Sequence, residues 1–297
     1  MSRFQLLSDA QWDLIAGFLP GPTGRKGRPF SDARTMVEAI AYRYRTGIAW
    51  RDLPAAFGPW QTAWKWHRRM AGGGTWDRVH AALLARADAT GNVDWSVSVD
   101  STIARAHQHA TNITRVTGAS SNYNNPLIEP PDHGFGRSRG GLSTKLHHLV
   151  DGRGLPLVIA VTPGQAGDSP MLIPLLEQLR ITRPIGRPRT RPDRVRGDKA
   201  YSSRAIRQHL RDRSIQAVIP QPADQIGHRI RRGSHGGRPI TYDRDDYRNR
   251  NVIERRFATL KQWRGLATRY DKLATVYRSA AVFNAVIAWT RHLGDMP

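Results

Sequence analysis

Through residues 1–90, apolar positions recur every three to four residues, the spacing of one helical face. Beyond Val93 they gather into short continuous runs of the β type. Ser8 can cap a first helix carrying Trp12, Ile15 and Leu19, and a basic break follows from Gly21 to Pro29. Ser31 can cap a second helix with Met36, Val37, Ile40 and Tyr44, ended by Gly47 before a short Trp50 to Phe57 segment. Gly58-Pro59 marks a turn. A helix is expected from Trp60 to Met70, then a Gly72-Gly73-Gly74 break and a last helix from Trp76 to Arg86. Short helices joined by tight turns predict an all-α, helix-turn-helix-like domain over 1–90.

The second pattern predicts strands at Trp95 to Val99, Thr144 to Val150, Leu155 to Val161, Arg194 to Gly197 and Ala217 to Pro220. Asp151-Gly152-Arg153-Gly154 is a hairpin turn between the second and third. Helices interleave with the later strands: Asp168 and Ser169 can cap one bearing Leu172, Leu175, Leu176 and Leu179, and Ser203 another with Ile206 and Leu210. Strands first and alternating helices later predict an α/β domain over 91–297, a mixed sheet flanked by helices. Segments 112–141, 183–194 and 224–238 are poor in core residues and rich in Gly, Pro and Arg, and read as basic loop insertions.

Polar chemistry concentrates near the end of the chain. Tyr247, Arg250, Glu254 and Lys261 are spaced so that one continuous helix would hold them within an arc of about 60°. Ile253, Phe257 and Leu260 fall on the adjoining arc, so the polar stripe would border the buried face. Two further acids, Asp100 after Val97-Ser98-Val99 and Asp198 after Arg194-Val195-Arg196-Gly197, are placed where strands are expected to end. Such positions collect functional sites, although an acid there can equally cap the next turn. Three carboxylates offer hard oxygen ligands to Mg²⁺ or Mn²⁺. Two such ions can activate a water or a 3′-hydroxyl and stabilise the leaving oxygen of a phosphodiester.

The ordered segments GRPFSDARTMVEAIAYRYRTGIAWRDLP, VDSTIARAHQHA, GGLSTKLHHLVDGRGLPL, GDKAYSS and YRNRNVIERRFATLKQWRGLATRYDK together resemble the bacterial insertion-sequence DDE transposases of the insertion-sequence-5 type, within the broader group carrying a Tyr-Arg-Glu-Lys signature. The resemblance implies an RNase H-like core in which Asp100, Asp198 and Glu254 hold two metal ions. It implies that Tyr247, Arg250 and Lys261 contact transposon-end phosphates. It also implies a transposase that binds terminal inverted repeats, cleaves there and joins the 3′-hydroxyl to target DNA, as a homodimer on paired ends. Some relatives place a sizeable β-rich domain between the second Asp and the Glu, and here that interval is short. A nuclease that cuts without joining, and an inactive DNA-binding regulator, are the rival readings. Trp263 or Tyr201 could stack on a displaced base.

Charge changes this picture little. Lys and Arg number 46 against 24 Asp and Glu, a formal charge of +22 that calls for a polyanionic partner, which the resemblance implies is double-stranded DNA. In the Trp60 helix, Lys65, Arg68 and Arg69 could reach a groove while Trp64 and Trp66 anchor the other side. The chain has no cysteine, which excludes disulfides, Cys-based zinc fingers and a thiol nucleophile. The pairs His107/His109 and His147-His148 lack the soft companions of a zinc site. No Gly-rich nucleotide loop, export signal or apolar run long enough for a membrane span is present, so no nucleotide cofactor and a cytoplasmic location are expected.

Overall fold

The computed structural model describes residues 5–21, 31–112, 129 and 133–294. Most of the 112–141 segment and nearly all of the Gly21 to Pro29 break lie outside these. Among the described residues, α1 (Asp9–Asp13), α2 (Ala33–Thr46), α3 (Trp60–Gly72) and α4 (Thr75–Ala89) precede β1 (Ser96–Ala106) and the single turn α5 (Gln108–Thr111). Then come β2 (Gly136–Ser138), β3 (Gly141–Val150), β4 (Pro156–Pro163), α6 (Leu172–Gln178), β5 (Arg194–Arg196), α7 (Arg204–Asp212), β6 (Gln216–Val218) and α8 (Ala223–Arg231). The chain continues as α9 (Arg244–Arg248), α10 (Asn251–Lys261), α11 (Arg264–Ala267), β7 (Thr268–Arg269) and α12 (Ala274–Gly294). No described helix is long and apolar enough to cross a membrane.

Local signals explain most of the starts and stops. Ser8 and Gln11 form a reciprocal capping box, and Ser203 caps α7 through the Ile206 amide. Gly47 ends α2 at φ 73°, a conformation that costs glycine little. Four expectations need correction. The first helix stops at Asp13 and Ile15 passes into a 3₁₀ turn. Asp32, not Ser31, caps α2, because its carboxylate accepts from both the Thr35 amide and hydroxyl. Asp168 caps nothing: α6 is entered through a 3₁₀ turn, and the Asp168 carboxylate is engaged elsewhere. Segment 224–238 is also helical rather than looped, forming α8 and a 3₁₀ turn. Nothing on α8 is buried, which is why hydrophobic content did not reveal it.

The sheet is RNase H-like. β1, β3 and β4 form an antiparallel meander, and β5 and then β6 extend it in parallel from the other edge of β1. The hairpin turn falls at Asp151, whose carboxylate accepts from the amides of Arg153, Leu155 and Asp94. α12 lies between this sheet and the N-terminal helices. Trp76 of α4 packs on Phe283 of α12 at 4.4 Å between ring centres, and Trp289 Nε1 donates to the Pro156 carbonyl at 2.7 Å. His80 Nε2 meets that same carbonyl at 2.9 Å. Burial lowers its pKa to about 4, so the ring is neutral and the nitrogen must be the donor. Arg278 grips both oxygens of Asp77 at 2.8 and 3.2 Å. The N-terminal helices and the sheet therefore share one hydrophobic core.

Phe283→Ala would open a cavity at this junction, because Phe283 is fully buried between Trp76 and Trp263. A loss of about 3–5 kcal/mol in equilibrium denaturation is expected.

Candidate active site

β1 decides where the site lies. Its parallel pairing with β5 ends at Ser98, but its antiparallel pairing with β3 continues to Arg105. Asp100 thus lies inside the strand and not at its end, as the apolar run alone suggested, just beyond the point where β5 turns away. β5 ends at Arg196. Asp198 follows and accepts the Ala200 amide at 2.9 Å, so it occupies a strand end and caps a 3₁₀ turn at the same time.

Glu254 arrives from α10, whose buried face is Val252, Ile253, Arg256, Phe257 and Leu260. The polar array is not one continuous helix. Asn249 and Arg250 keep helical dihedrals, but their amides bond three residues back, to Asp246 and Tyr247, which tightens the turn and separates α9 from α10. Asp246 anchors α9 to β5: its Oδ1 accepts from Arg196 Nη2 at 2.6 Å and Nε at 3.2 Å. Burial pushes the Asp246 carboxyl up, but bonding to Arg196 and the nearby Arg194 hold it below its usual range.

Arg250 links the acids. Its Nη2 donates to Asp100 Oδ2 at 2.5 Å and its Nη1 to Glu254 Oε1 at 3.2 Å. Burial raises the Asp100 pKa to about 6. The Ser101 amide and Arg250 pull it down, while the charges of Asp198 and Glu254 push it further up. Tyr201 stands in the same field. Its phenol is raised by burial and then by Asp100, Asp168 and Asp198, and its hydroxyl has no hydrogen-bond partner among the described residues. Tyr247, on α9, is half-buried and feels Arg250, Asp198 and Asp100, and Lys261 ends α10 in solvent.

The opposite face of β1 carries a cluster that sequence reasoning did not assemble. Asp168 Oδ1 accepts from Ser101 Oγ at 2.6 Å and Lys145 Nζ at 2.8 Å, with His147 Nδ1 at 4.0 Å. Strand alternation is the one signal that could have found it, since Ser101 pairs with His147 and Lys145 lies two residues before. The same alternation sends His148 the other way, where its ring meets Phe257 edge-on at 5.2 Å, so these two histidines cannot share one ion. Trp263 and Tyr201 are 6% and 1% exposed and lie in the core, which closes them to stacking on a base. On α3, Lys65 and Arg69 are exposed, Arg68 lies 5.5 Å over the Trp64 ring, and Trp66 is buried.

As they stand, no three carboxylate or imidazole groups among the described residues converge closely enough to hold an ion. Between Asp100 and Glu254 it is the Arg250 guanidinium that supplies positive charge. The chemistry of the donors nevertheless fits a hard divalent cation: all are carboxylate oxygens, and Asp100 carries a raised pKa beside two further acids.

Residues 92–288 match the family model described as "Transposase DDE domain". The chain belongs to the DDE transposase family. Residues 7–80 match a second model, described as "Putative transposase of IS4/5 family", so the transposase is of the IS4/5 type expected from its motifs. A "Putative transposase for insertion sequence element IS6501" of Brucella ovis is 33% identical over 150 residues, covering 50% of this chain and 100% of that one. A "Putative transposase for insertion sequence element IS402" of Burkholderia cepacia is 32% identical over 142 residues, covering 48% and 59%. Among solved structures, a pre-cleavage Mos1 transpososome covers 82% of each chain at 13% identity and a TM-score of 0.24, too weak a likeness to carry an argument.

Removing the bridging cation should leave the transposase with unbalanced acids. Arg250→Gln is expected to lower Tm at pH 8, where Asp100 is ionised, and to lower it less at pH 5, where Asp100 holds its proton. Added Mg²⁺ should recover more Tm in the variant than in the parent. Thermal scans at both pH values, with and without the ion, check this.

Proposed function

We propose that this transposase binds the terminal inverted repeats of its own element, hydrolyses the phosphodiester at their ends, and joins the freed 3′-hydroxyl to target DNA. The observation that supports the reading is the Arg250 bridge between Asp100 and Glu254, with Asp198 near enough for its charge to act on Asp100, from three segments far apart in the chain. In this reading Asp100, Asp198 and Glu254 hold two Mg²⁺ or Mn²⁺ ions. Once bound, the ions supply Lewis-acid activation of the attacking oxygen and stabilisation of the leaving one.

The chain's own residues do the remainder. Arg250 neutralises Asp100 and Glu254 while the site is empty of cations and is then free to turn to a phosphate, which a guanidinium binds with two parallel donors. Tyr247 and Lys261 flank it as further phosphate contacts. The Asp246–Arg196 pair holds α9 against β5 and so fixes Tyr247 near Asp198. The region 1–90 acts as the DNA-binding domain, with Lys65 and Arg69 presented outward from α3 and Arg68 held over Trp64. Two copies on paired ends would bring the two cuts together. The +22 charge supports a polyanionic partner throughout.

The test incubates purified protein with a plasmid carrying the gene and its native flanks, with Mg²⁺ or Mn²⁺, and sequences every new junction. Junctions at the element ends, absent with Glu254→Gln although that variant still binds the flanks, are the expected result. Scattered nicks would mean a nuclease, and binding without cutting a regulator.

Ion binding should also follow Asp100. Because its pKa is raised to about 6 and a ligand must shed its proton, Mn²⁺ affinity is expected to be full above that pH and to fall about tenfold per unit below it, read by calorimetry.

A further inference from the structure

A cavity of about 350 Å³ lies between the N-terminal helices and the segment leading into α12, lined by Arg43, Trp50, Trp64, Arg68, Tyr270 and Lys272 among others. Its walls combine half-buried aromatic rings with cations, and its lining includes one carboxylate, Asp271. That acid is already engaged. Tyr44 donates its hydroxyl proton to Asp271 at 2.9 Å and so must accept from His67 Nε2, also at 2.9 Å, which fits a His67 kept neutral by burial.

Arg43 is the telling residue. It is 3% exposed, its Nε and Nη1 have no hydrogen-bond acceptor among the described residues, and its guanidinium lies over the rings of Tyr44, Trp50 and Tyr270 at 4.5, 5.4 and 5.7 Å. A buried guanidinium with idle donors is costly unless an anion completes it. Asp271 shares this region but no hydrogen bond joins it to Arg43, and an anion entering the cavity would meet the Arg43 donors beside the flat faces of the rings.

We infer that this cavity takes one unpaired nucleotide of DNA, its base stacked among Trp50, Trp64 and Tyr270 and its phosphate held by Arg43, Arg68 and Lys272. The inference rests on the proposed DNA binding and deepens it. Only an unpaired base offers both faces to aromatic side chains, and stacking tolerates any base. The position separates this nucleotide from the bond to be cut. Ala106 of β1 pairs with Arg269, the residue before Tyr270, so the cavity is six strand residues from Asp100, about 20 Å at the rise of a strand. A nucleotide seated here is one several positions into the DNA, read jointly by the N-terminal helices and the C-terminal part of the chain.

The experiment photo-crosslinks the full-length protein to short oligonucleotides bearing one iododeoxyuridine, placed in a single strand, in a one-nucleotide bulge of a duplex, or fully paired, and maps the adducts by mass spectrometry. Adducts on Trp50, Trp64 or Tyr270 from the single strand and the bulge, and not from the paired duplex, are expected. Adducts confined to other residues overturn the inference. Tyr270→Leu should reduce the preference for bulged over paired duplex by about tenfold, the scale of one stacked base. If that variant unfolds, Lys272→Gln, at the cavity edge, should reduce the same preference in the same direction. Paired and bulged duplexes bound equally by the parent protein would sink the nucleotide site alone. Failure to bind any DNA would sink the proposed function with it.

Discussion

Gathering carboxylates on a partly buried surface is unfavourable unless a cation accompanies them, and the region around β1 is organised by that constraint. Asp100 is buried enough for its proton affinity to rise, and Asp198 and Glu254 increase the strain. Arg250 relieves it by bonding to two acids from the junction between α9 and α10. The arginine also ties that junction to the sheet. A guanidinium suits this temporary role because it remains charged in any surroundings and its donors can change partner without reshaping the backbone.

What surrounds this cluster keeps it in place. The meander fixes β1 on one edge and the parallel pair β5–β6 on the other, and Asp100 follows the point where those two edges stop matching in length. Ser101 and Lys145 hold Asp168 through hydrogen bonds on the other face of the strand. Tyr201 closes the end near Asp198 with a buried hydroxyl that lacks a partner among the described residues.

The shared core gives the N-terminal helices a fixed relation to the sheet. α12 contributes to both, through Phe283 against Trp76 on one side and Trp289 against the Pro156 carbonyl on the other. Tyr44, His67 and Asp271 form a second tie across the same boundary, beside the aromatic cavity. A DNA contact made on the helices would be at a set distance from Asp100, which suits the proposed cutting at defined ends.

Much of this was legible in the chain. Caps at Ser8 and Ser203, the stop at Gly47, the hairpin at Asp151 and the buried arc of Ile253, Phe257 and Leu260 were all readable, because each depends on residues within a few positions of one another. The ordered motifs were enough to indicate the family. Tertiary structure decided the rest. Whether β1 stops at Asp100 or runs on depends on β3, whose pairing residues lie some fifty positions later. The cation beside Asp100 comes from a residue 150 positions away. Asp168 caps no helix because Lys145 and Ser101 offer its carboxylate stronger partners than a turn's amides. Periodicity and propensity act along the chain, whereas register, charge pairing and the walls of a cavity are set by groups that meet only when the chain has folded.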